Sequence, residues 1–335
     1  MAVDLIEQAR QGDADAFREL TEPFRRELEV HCYRHLGSAL DAEDTTQDIM
    51  LAAWEGLGSF EGRSSIRTWL YRVATRRCLN ALRAARRRPA TSSLAAIDLP
   101  APTRLGEVPW LEPYPDDRLA DLTDSQPGPE ARVEAREAVS LAFVTTLQNL
   151  PPRQRAALIL RDVLGYHARE AAQILESTEE SVSSALRRAR ATVKSRRMLE
   201  GASEPPPAPN SPEEGKVVEQ LGAAFAVGDV DSIVSLLTDN AVFAMPPLPF
   251  EYQGRASAAR FLAAVAPRGD DRYRLQWTRA NGQPAFAAYM RKPRTRTYHA
   301  MGFMVLTLSG DQISAMTRFE NSILPLFGLP RTIAD

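Results

Sequence analysis

Apolar positions near the start of the chain recur at three- and four-residue spacing. Phe17, Leu20, Phe24 and Leu28 form one such row, and this repeat predicts an amphipathic helix. Asp41 is placed to cap a second helix with apolar positions at Ile49, Ala52, Ala53 and Leu57. Ser64 or Ser65 can cap a third, running to about Arg87. Residues 1–88 therefore read as an all-helical block. The pattern stops over residues 89–129, which are acidic and rich in proline (Pro100, Pro102, Pro109, Pro113, Pro115, Pro127, Pro129). Proline lacks a backbone donor and disfavours helix before it, so this segment reads as an extended linker. Helical spacing returns over 130–198, where Leu150-Pro151-Pro152 marks a sharp helix start. A second proline run, within 199–212, reads as a hinge. Residues 213–335 begin helical and then alternate as strands over 272–279, 285–291, 297–308 and 312–319. Asn281-Gly282 and Ser309-Gly310-Asp311 are turn signals between those strands. This last block is an α+β domain.

Composition narrows the class. The 335 residues are 44% hydrophobic and 25% charged, ordinary for globular domains. No apolar run is long enough to span a bilayer. Met1 to Arg10 lacks a signal-peptide core, so a cytoplasmic protein without membrane insertion is expected. Cys32 and Cys78 alone make no disulfide framework and no zinc framework. His31, Cys32 and His35 cluster on one helix, but no further ligand lies near them in sequence, so they read as structural. No metal and no cofactor is implied.

The net charge is only −2, yet the charges are segregated. Residues 62–97 hold nine arginines (Arg63, Arg67, Arg72, Arg76, Arg77, Arg83, Arg86, Arg87, Arg88) and no acid. A second basic block comprises Arg187, Arg188, Arg190, Lys194, Arg196 and Arg197. Such blocks point to local phosphate-binding surfaces. In the second, Ala168 to Leu175 predicts a short helix, Glu176-Ser177-Thr178 a turn with Thr178 as N-cap, and Glu179 to Arg197 a longer helix. Val182, Leu186, Ala189 and Val193 share the inward face of that helix. Ser181, Ser184 and Arg188 lie where a helix-turn-helix meets base edges, and Arg187, Arg190 and Lys194 where it meets phosphates. In the first block, Trp69, Arg72, Arg76, Asn80 and Arg83 fall on one side of a helix. Arginines there suit phosphates and Asn80 suits a base edge.

Three motifs carry a family resemblance. Asp41-Ala-Glu-Asp-Thr-Thr-Gln-Asp-Ile-Met-Leu-Ala-Ala-Trp54 and the Phe60–Arg83 segment resemble region two of extracytoplasmic-function sigma factors of bacterial RNA polymerase. Leu150-Pro-Pro-Arg-Gln-Arg, followed by Ser181-Val-Ser-Ser-Ala-Leu-Arg-Arg-Ala-Arg, is similar to their region four. The turn at Glu176 lacks the glycine frequent there, and Ser183 and Ala185 stand where relatives are often basic. The resemblance implies two all-α sigma domains, a region-two helical bundle and a region-four helix-turn-helix. It implies core polymerase and promoter DNA as partners. Asp44, Gln47, Asp48, Leu51 and Trp54 would meet the polymerase clamp. Arg63, Ser64, Ser65, Arg72, Arg76, Asn80 and Arg83 would take the minus-ten element. Ser181, Ser184, Arg187, Arg188, Arg190 and Lys194 would take the minus-thirty-five element. The acidic linker would thread the polymerase RNA-exit path. An anti-sigma partner stays unspecified.

Residues 217–243 and 252–262 resemble SnoaL-like domains, which implies a curved sheet wrapped round helices to form a cone. Phe243, Met245, Trp277, Tyr289, Met301 and Phe303 could line a cavity for a small apolar ligand, or be plain core. Acid–base chemistry would have only His299, Glu320 and Asp239 to draw on. The expected role is promoter recognition by the first two blocks and regulation by the third. Two alternatives remain: a bifunctional protein with an active cyclase or isomerase domain, and a repressor that never engages polymerase. The acidic helix at 41–55 argues against the second.

Overall fold

The computed structural model describes residues 2–85, 99–106, 111–119, 134, 137–200, 204–246, 248–265, 272–291 and 296–334. Arg86, Arg87 and Arg88 lie outside these, as do the side chains of Arg196 and Arg197. The described residues fall into two compact units. One holds the sequence blocks at 2–85 and 143–199, the other residues 99–119 and 204–334.

The first unit is helical. Helices α1 (Ala2–Arg10), α2 (Ala14–Leu36), α3 (Ala39–Gly56) and α4 (Ile66–Ala85) form one bundle. Its interior is built from Leu28, Tyr33, Ile49, Ala53, Leu70 and Ala74. The α2 helix starts at Asp13, whose carboxylate accepts the amides of Asp15 and Ala16, and ends at left-handed Gly37. The cap of α3 is Ser38, which accepts the Asp41 amide at 3.0 Å. Asp41 therefore is not the cap that the sequence suggested. It lies in the first turn, where its charge still suits the helix dipole. Ser65 caps α4 by accepting the Thr68 amide. The second half comprises α5 (Leu141–Gln148), α6 (Pro152–Leu158) continuing into a π-helical turn at Ile159–Val163, α7 (Ala168–Ile174) and α8 (Glu179–Glu200).

The two halves share a buried polar seam. The Arg155 side chain, on α6, donates to the His35 carbonyl at the end of α2. It also donates to the Gln148 side chain at 2.7 Å and the Gln148 carbonyl at 2.9 Å. Gln148 in turn reaches the Arg34 carbonyl. Nearby, Tyr71 of α4 meets Tyr166 edge-on at 5.7 Å. Arg67 grips Glu27 through two parallel bonds and lies over the Tyr71 ring. Inside the seam, His31 contacts the Thr75 hydroxyl at 3.0 Å and packs against His35. Both ring nitrogens of His35 are buried without a partner.

The second unit is an eight-stranded sheet with helices on one face. Its strands are β1 (Arg104–Leu105), β2 (Leu237–Met245), β3 (Leu248–Gln253), β4 (Arg272–Ala280), β5 (Gln283–Arg291), β6 (Thr297–Ser309), β7 (Gln312–Phe319) and β8 (Thr332–Ala334). The order is β1-β3-β2-β7-β6-β5-β4, with β8 on the end of β6. The β2–β7 pair is parallel and the other pairs are antiparallel. Helices α9 (Pro212–Val227), α10 (Val230–Ser235) and α11 (Arg255–Val265) supply Leu221, Phe225, Ile233, Phe261 and Leu262 to a core shared with Phe243, Met245, Phe286 and Leu306. The other face is covered by the tail: Phe327 stacks on Phe303 at 4.3 Å, and the Tyr289 hydroxyl donates to the Pro330 carbonyl.

The proline-rich linker departs from its sequence reading. It is extended, but residues 99–106 and 111–119 are built into the sheet. Thr103 and β1 pair with β3 along one edge, and the Tyr252 hydroxyl donates to the Pro100 carbonyl. At the opposite edge, Tyr114 is fully buried and exchanges two hydrogen bonds with Asn281. Its amide donates to the Asn281 side-chain oxygen, and its carbonyl accepts the Asn281 amide, both at 2.9 Å. Pro115 bridges Ala280, and Asp116 accepts the Gly282 amide at 2.7 Å. Asn281 and Gly282 both have positive φ (58° and 74°), the two-residue turn that the sequence signalled. The hinge is likewise no free tether. The Glu204 amide donates to Ser309 and the Gly310 amide to the Pro205 carbonyl.

Two outcomes follow from these contacts. Burial, with help from the charges of Arg34 and Arg67, pushes the His31 pKa down from its usual 6.5 to about 3, and His35 is lowered for the same chief reason. Both rings are neutral in the folded unit, whereas the unfolded chain binds protons at 6.5. Stability is therefore complete above pH 6.5 and falls as pH drops from 6.5 toward about 3. Urea unfolding across that window should show this slope, and His35→Leu should flatten it. In the second unit, Asn281→Ala removes the acceptor for a buried amide and puts alanine, which disfavours the left-handed region more than asparagine does, at positive φ. It should cost about 2–4 kcal/mol and open residues 99–119 to protease. Asn281→Gly should cost less, because it keeps the turn.

Candidate nucleic-acid interface

The interface begins with the α4 helix. Its inward face buries Leu70, Tyr71, Ala74 and Cys78, so the opposite face is left to solvent. On that outer face Arg72, Arg76, Asn80 and Arg83 follow one another at three- and four-residue steps and are all exposed. The Arg83 guanidinium donates to the Asn80 side-chain oxygen at 2.7 Å, which holds both on one surface. Arg63 is exposed beside Glu61, Ser65 is spent on the helix cap, and Ser64 is partly exposed. Trp69, which spacing groups with the arginines, is 5% exposed and packs on Phe60. It braces the surface more than it faces solvent. Together Trp69, Arg72, Arg76, Arg77 and Asn80 bound a cleft of about 440 Å³. Cationic walls and an aromatic edge suit a nucleic-acid strand.

The helix-turn-helix comes next. Val182, Leu186 and Ala189 bury the inner face of α8 as the spacing required. Thr178 accepts the Ser181 amide and caps the helix. Ser181, Arg187, Arg188 and Lys194 are exposed, and Ser184 is half-buried and accepts from Arg188 at 2.9 Å. Arg190 departs from the group. It forms two bonds with Asp162, at 2.9 and 2.7 Å, and the adjacent carboxylate raises its pKa. That pairing joins α8 to the π-helical turn, a constraint that no local pattern in the sequence reveals.

On α3, Asp44, Gln47, Asp48 and Leu51 form one exposed acidic and apolar stripe, with Leu51 58% exposed. Trp54 is half-buried and meets Phe17 edge-on at 5.1 Å, so it anchors α3 to α2 as well as bordering the stripe.

The six residues suggested for a ligand cavity do not share one. Phe243 and Met245 belong to the helix-covered core, where Phe243, Phe261 and Tyr252 stack ring on ring at 4.4 and 4.8 Å. Strand alternation carries Phe303 to the opposite face from Met304 and Leu306, under the tail. Tyr289 is bonded to that tail, Met301 is half-buried, and Trp277 is 37% exposed against Gly222. A crevice lined by Phe225, Ile233, Leu262 and Tyr273 holds about 10 Å³, the lower limit for one water molecule. His299 is exposed, Asp239 pairs with Arg255, and Glu320 lies 3.5 Å from the largely buried Arg318.

Comparison with known proteins agrees with this geometry. The Sigma-70 region 2 family matches residues 20–88, the Sigma-70 region 4 family residues 140–193, and the SnoaL-like domain family residues 218–316. The chain is 40% identical over 331 residues to the ECF RNA polymerase sigma factor SigG of Mycobacterium tuberculosis, covering 97% of this chain and 86% of that protein. It is 31% identical over 253 residues to SigJ of the same organism, covering 74% of this chain and 72% of that one. The crystal structure of SigJ superposes with a TM-score of 0.56 at 25% identity, over 92% of this chain and 98% of that one. With regions two and four matched in order, and a relative of this identity over nearly its whole length, the chain belongs to the extracytoplasmic-function sigma factors of RNA polymerase and carries a SnoaL-like third domain.

Proposed function

We propose that the exposed face of α4 captures the minus-ten element, the outer face of α8 reads the minus-thirty-five element, and the acidic stripe of α3 docks on the polymerase clamp. The observation that carries this is the α4 stripe: four polar or cationic side chains in helical register, outside a fully buried apolar face. In the α3 stripe, Asp44 and Asp48 supply charge and Leu51 an apolar contact, a combination suited to a basic partner surface.

The two promoter elements lie about 25 base pairs apart, roughly 85 Å at about 3.4 Å per step. In the first unit, α4 and α7 are in contact, with Tyr71 against Tyr166. A unit closed in this way cannot read both elements at once. The closed form is therefore a resting form, and the seam around Arg155 and Arg67 is what opens.

The third domain acts as a regulator and not as a catalyst. Support comes from the filled core, from acid–base candidates that are exposed or ion-paired, and from the capture of residues 99–106 and 111–119. Those residues belong to the segment joining regions two and four, so holding them limits how that segment can be laid out. As a sigma factor with no helix among the described residues long and apolar enough to cross a membrane, the protein works in the cytoplasm, on core polymerase and promoter DNA.

Two substitution sets test the assignment. Arg76→Ala and Asn80→Ala should lower promoter opening on a permanganate footprint about tenfold each, since each removes about 1–3 kcal/mol of contact. Binding to core polymerase should stay as it was, and equal loss of both would reassign the surface. Asp44→Lys with Asp48→Lys should weaken core binding at low salt, because complementary charge becomes like charge. An unchanged affinity there would remove the clamp assignment.

A further inference from the structure

The turn of the helix-turn-helix contains a residue whose backbone and position both ask for an explanation. Glu176 has φ 48°, in the left-handed region. Glycine adopts that conformation freely, and a side chain with Cβ disfavours it. The amides on either side are used in closing the turn: Glu176 donates to Gln173 and Ser177 to Ala172. The local geometry would thus be served at least as well by glycine. What a glycine would not supply is the carboxylate.

Glu176 lines the 440 Å³ cleft together with Trp69, Arg72, Arg76, Arg77 and Asn80 of α4. It is the acidic member of that lining. Among the described residues, none of Arg72, Arg76 and Arg77 has a carboxylate within ion-pair distance, so the three guanidinium groups line the cleft without a direct anionic contact. Glu176 is delivered there by the buried seam. Tyr166, which precedes α7, rests against Tyr71 of α4, and Arg67 lies over both rings at 5.0 and 6.0 Å. Glu176 therefore borders the arginine cleft only while the unit is closed, and leaves it when region four moves away.

We propose that Glu176 is a built-in phosphate surrogate. In the closed unit its negative charge occupies the field of the α4 arginines and repels a nucleic-acid strand from the cleft. The free protein then holds single-stranded DNA weakly, and opening of the unit on polymerase restores the cleft. This rests on the reading of α4 as the strand-capturing face.

The test uses the full chain and a fluorescein-labelled single strand of about 12 nucleotides, followed by anisotropy at about 0.1 M salt. The proteins are the parent, Glu176→Gln, Glu176→Gly, Arg76→Ala and the Arg76→Ala/Glu176→Gln pair. Without polymerase, both Glu176 variants should bind about three- to tenfold more tightly than the parent, the size of one removed like-charge contact. The gain should shrink as salt rises and should be smaller in the Arg76→Ala background, since neighbouring charges couple. With core polymerase bound, parent and variants should bind the strand alike. Glutamine keeps the shape and loses the charge, whereas glycine also relieves the backbone, so agreement between them assigns the effect to charge. Unchanged affinity of both variants in the free chain overturns the proposal, as does a gain that persists undiminished on polymerase. If Arg76→Ala itself fails to weaken binding, the assignment of α4 is at fault instead.

Discussion

A guanidinium taken out of water has to spend its donors on fixed acceptors, and few side chains are planar and rigid enough to do so. Arg155 spends its terminal donors on the His35 carbonyl near the end of α2, on the Leu150 carbonyl and on Gln148, which itself reaches back to Arg34, while its Nε–H is buried without a partner. Burial lowers its pKa to about 10, still well above neutral, so the charge stays in place. This one side chain ties the end of the region-two bundle to the start of the region-four helices. The Tyr71–Tyr166 contact and the Arg67–Glu27 grip follow the same boundary. Because these bonds go to backbone carbonyls at defined positions, they select one relative placement of the two halves. Greasy contact alone would tolerate several.

Much of this molecule was legible in its sequence, for a physical reason. Helical registers, turn residues and caps are local properties, and local rules fixed α4, the Thr178 cap, the Asn281-Gly282 turn and the run of β7 to within a residue or two. Family motifs then gave the order of the regions. Contacts between distant segments were not legible. Arg190 reads as a phosphate contact until Asp162, 28 residues earlier, is seen to hold it. Trp54 reads as a docking residue alone, and its second role, anchoring α3 to α2 against Phe17, rests on a contact 37 residues away. The six residues read as a cavity lining or as plain core, and they fall on different faces because a bulge between Ala288 and Tyr289 shifts the alternation of β5 and the tail takes up the far face.

The proline-rich segment shows the same limit most clearly. Proline and acid predict extended chain, and extended chain is what forms. Nothing local says that an extended chain will be taken up as a sheet edge. It is taken up because β3 and the end of β4 present unpaired backbone groups, and an edge of that kind favours pairing. Residues 103–105 satisfy one edge and 114–116 the other. The SnoaL-like domain of this protein is therefore discontinuous in sequence, with one of its strands supplied by a stretch that the motifs assign to the sigma module.

Discontinuity has a consequence in time. Tyr114 and its partner Asn281 are separated by 167 residues. At synthesis rates of about 5–20 residues per second, Asn281 leaves the ribosome roughly 8–35 s after Tyr114 does. Both helical halves have emerged by then, and the helical elements that compose them form in microseconds or less. Every newly made molecule thus passes through an interval in which its DNA-binding module is complete and the joining segment still unclaimed. A nascent chain and a mature one differ in that respect, and age since translation becomes a variable that the cell can read.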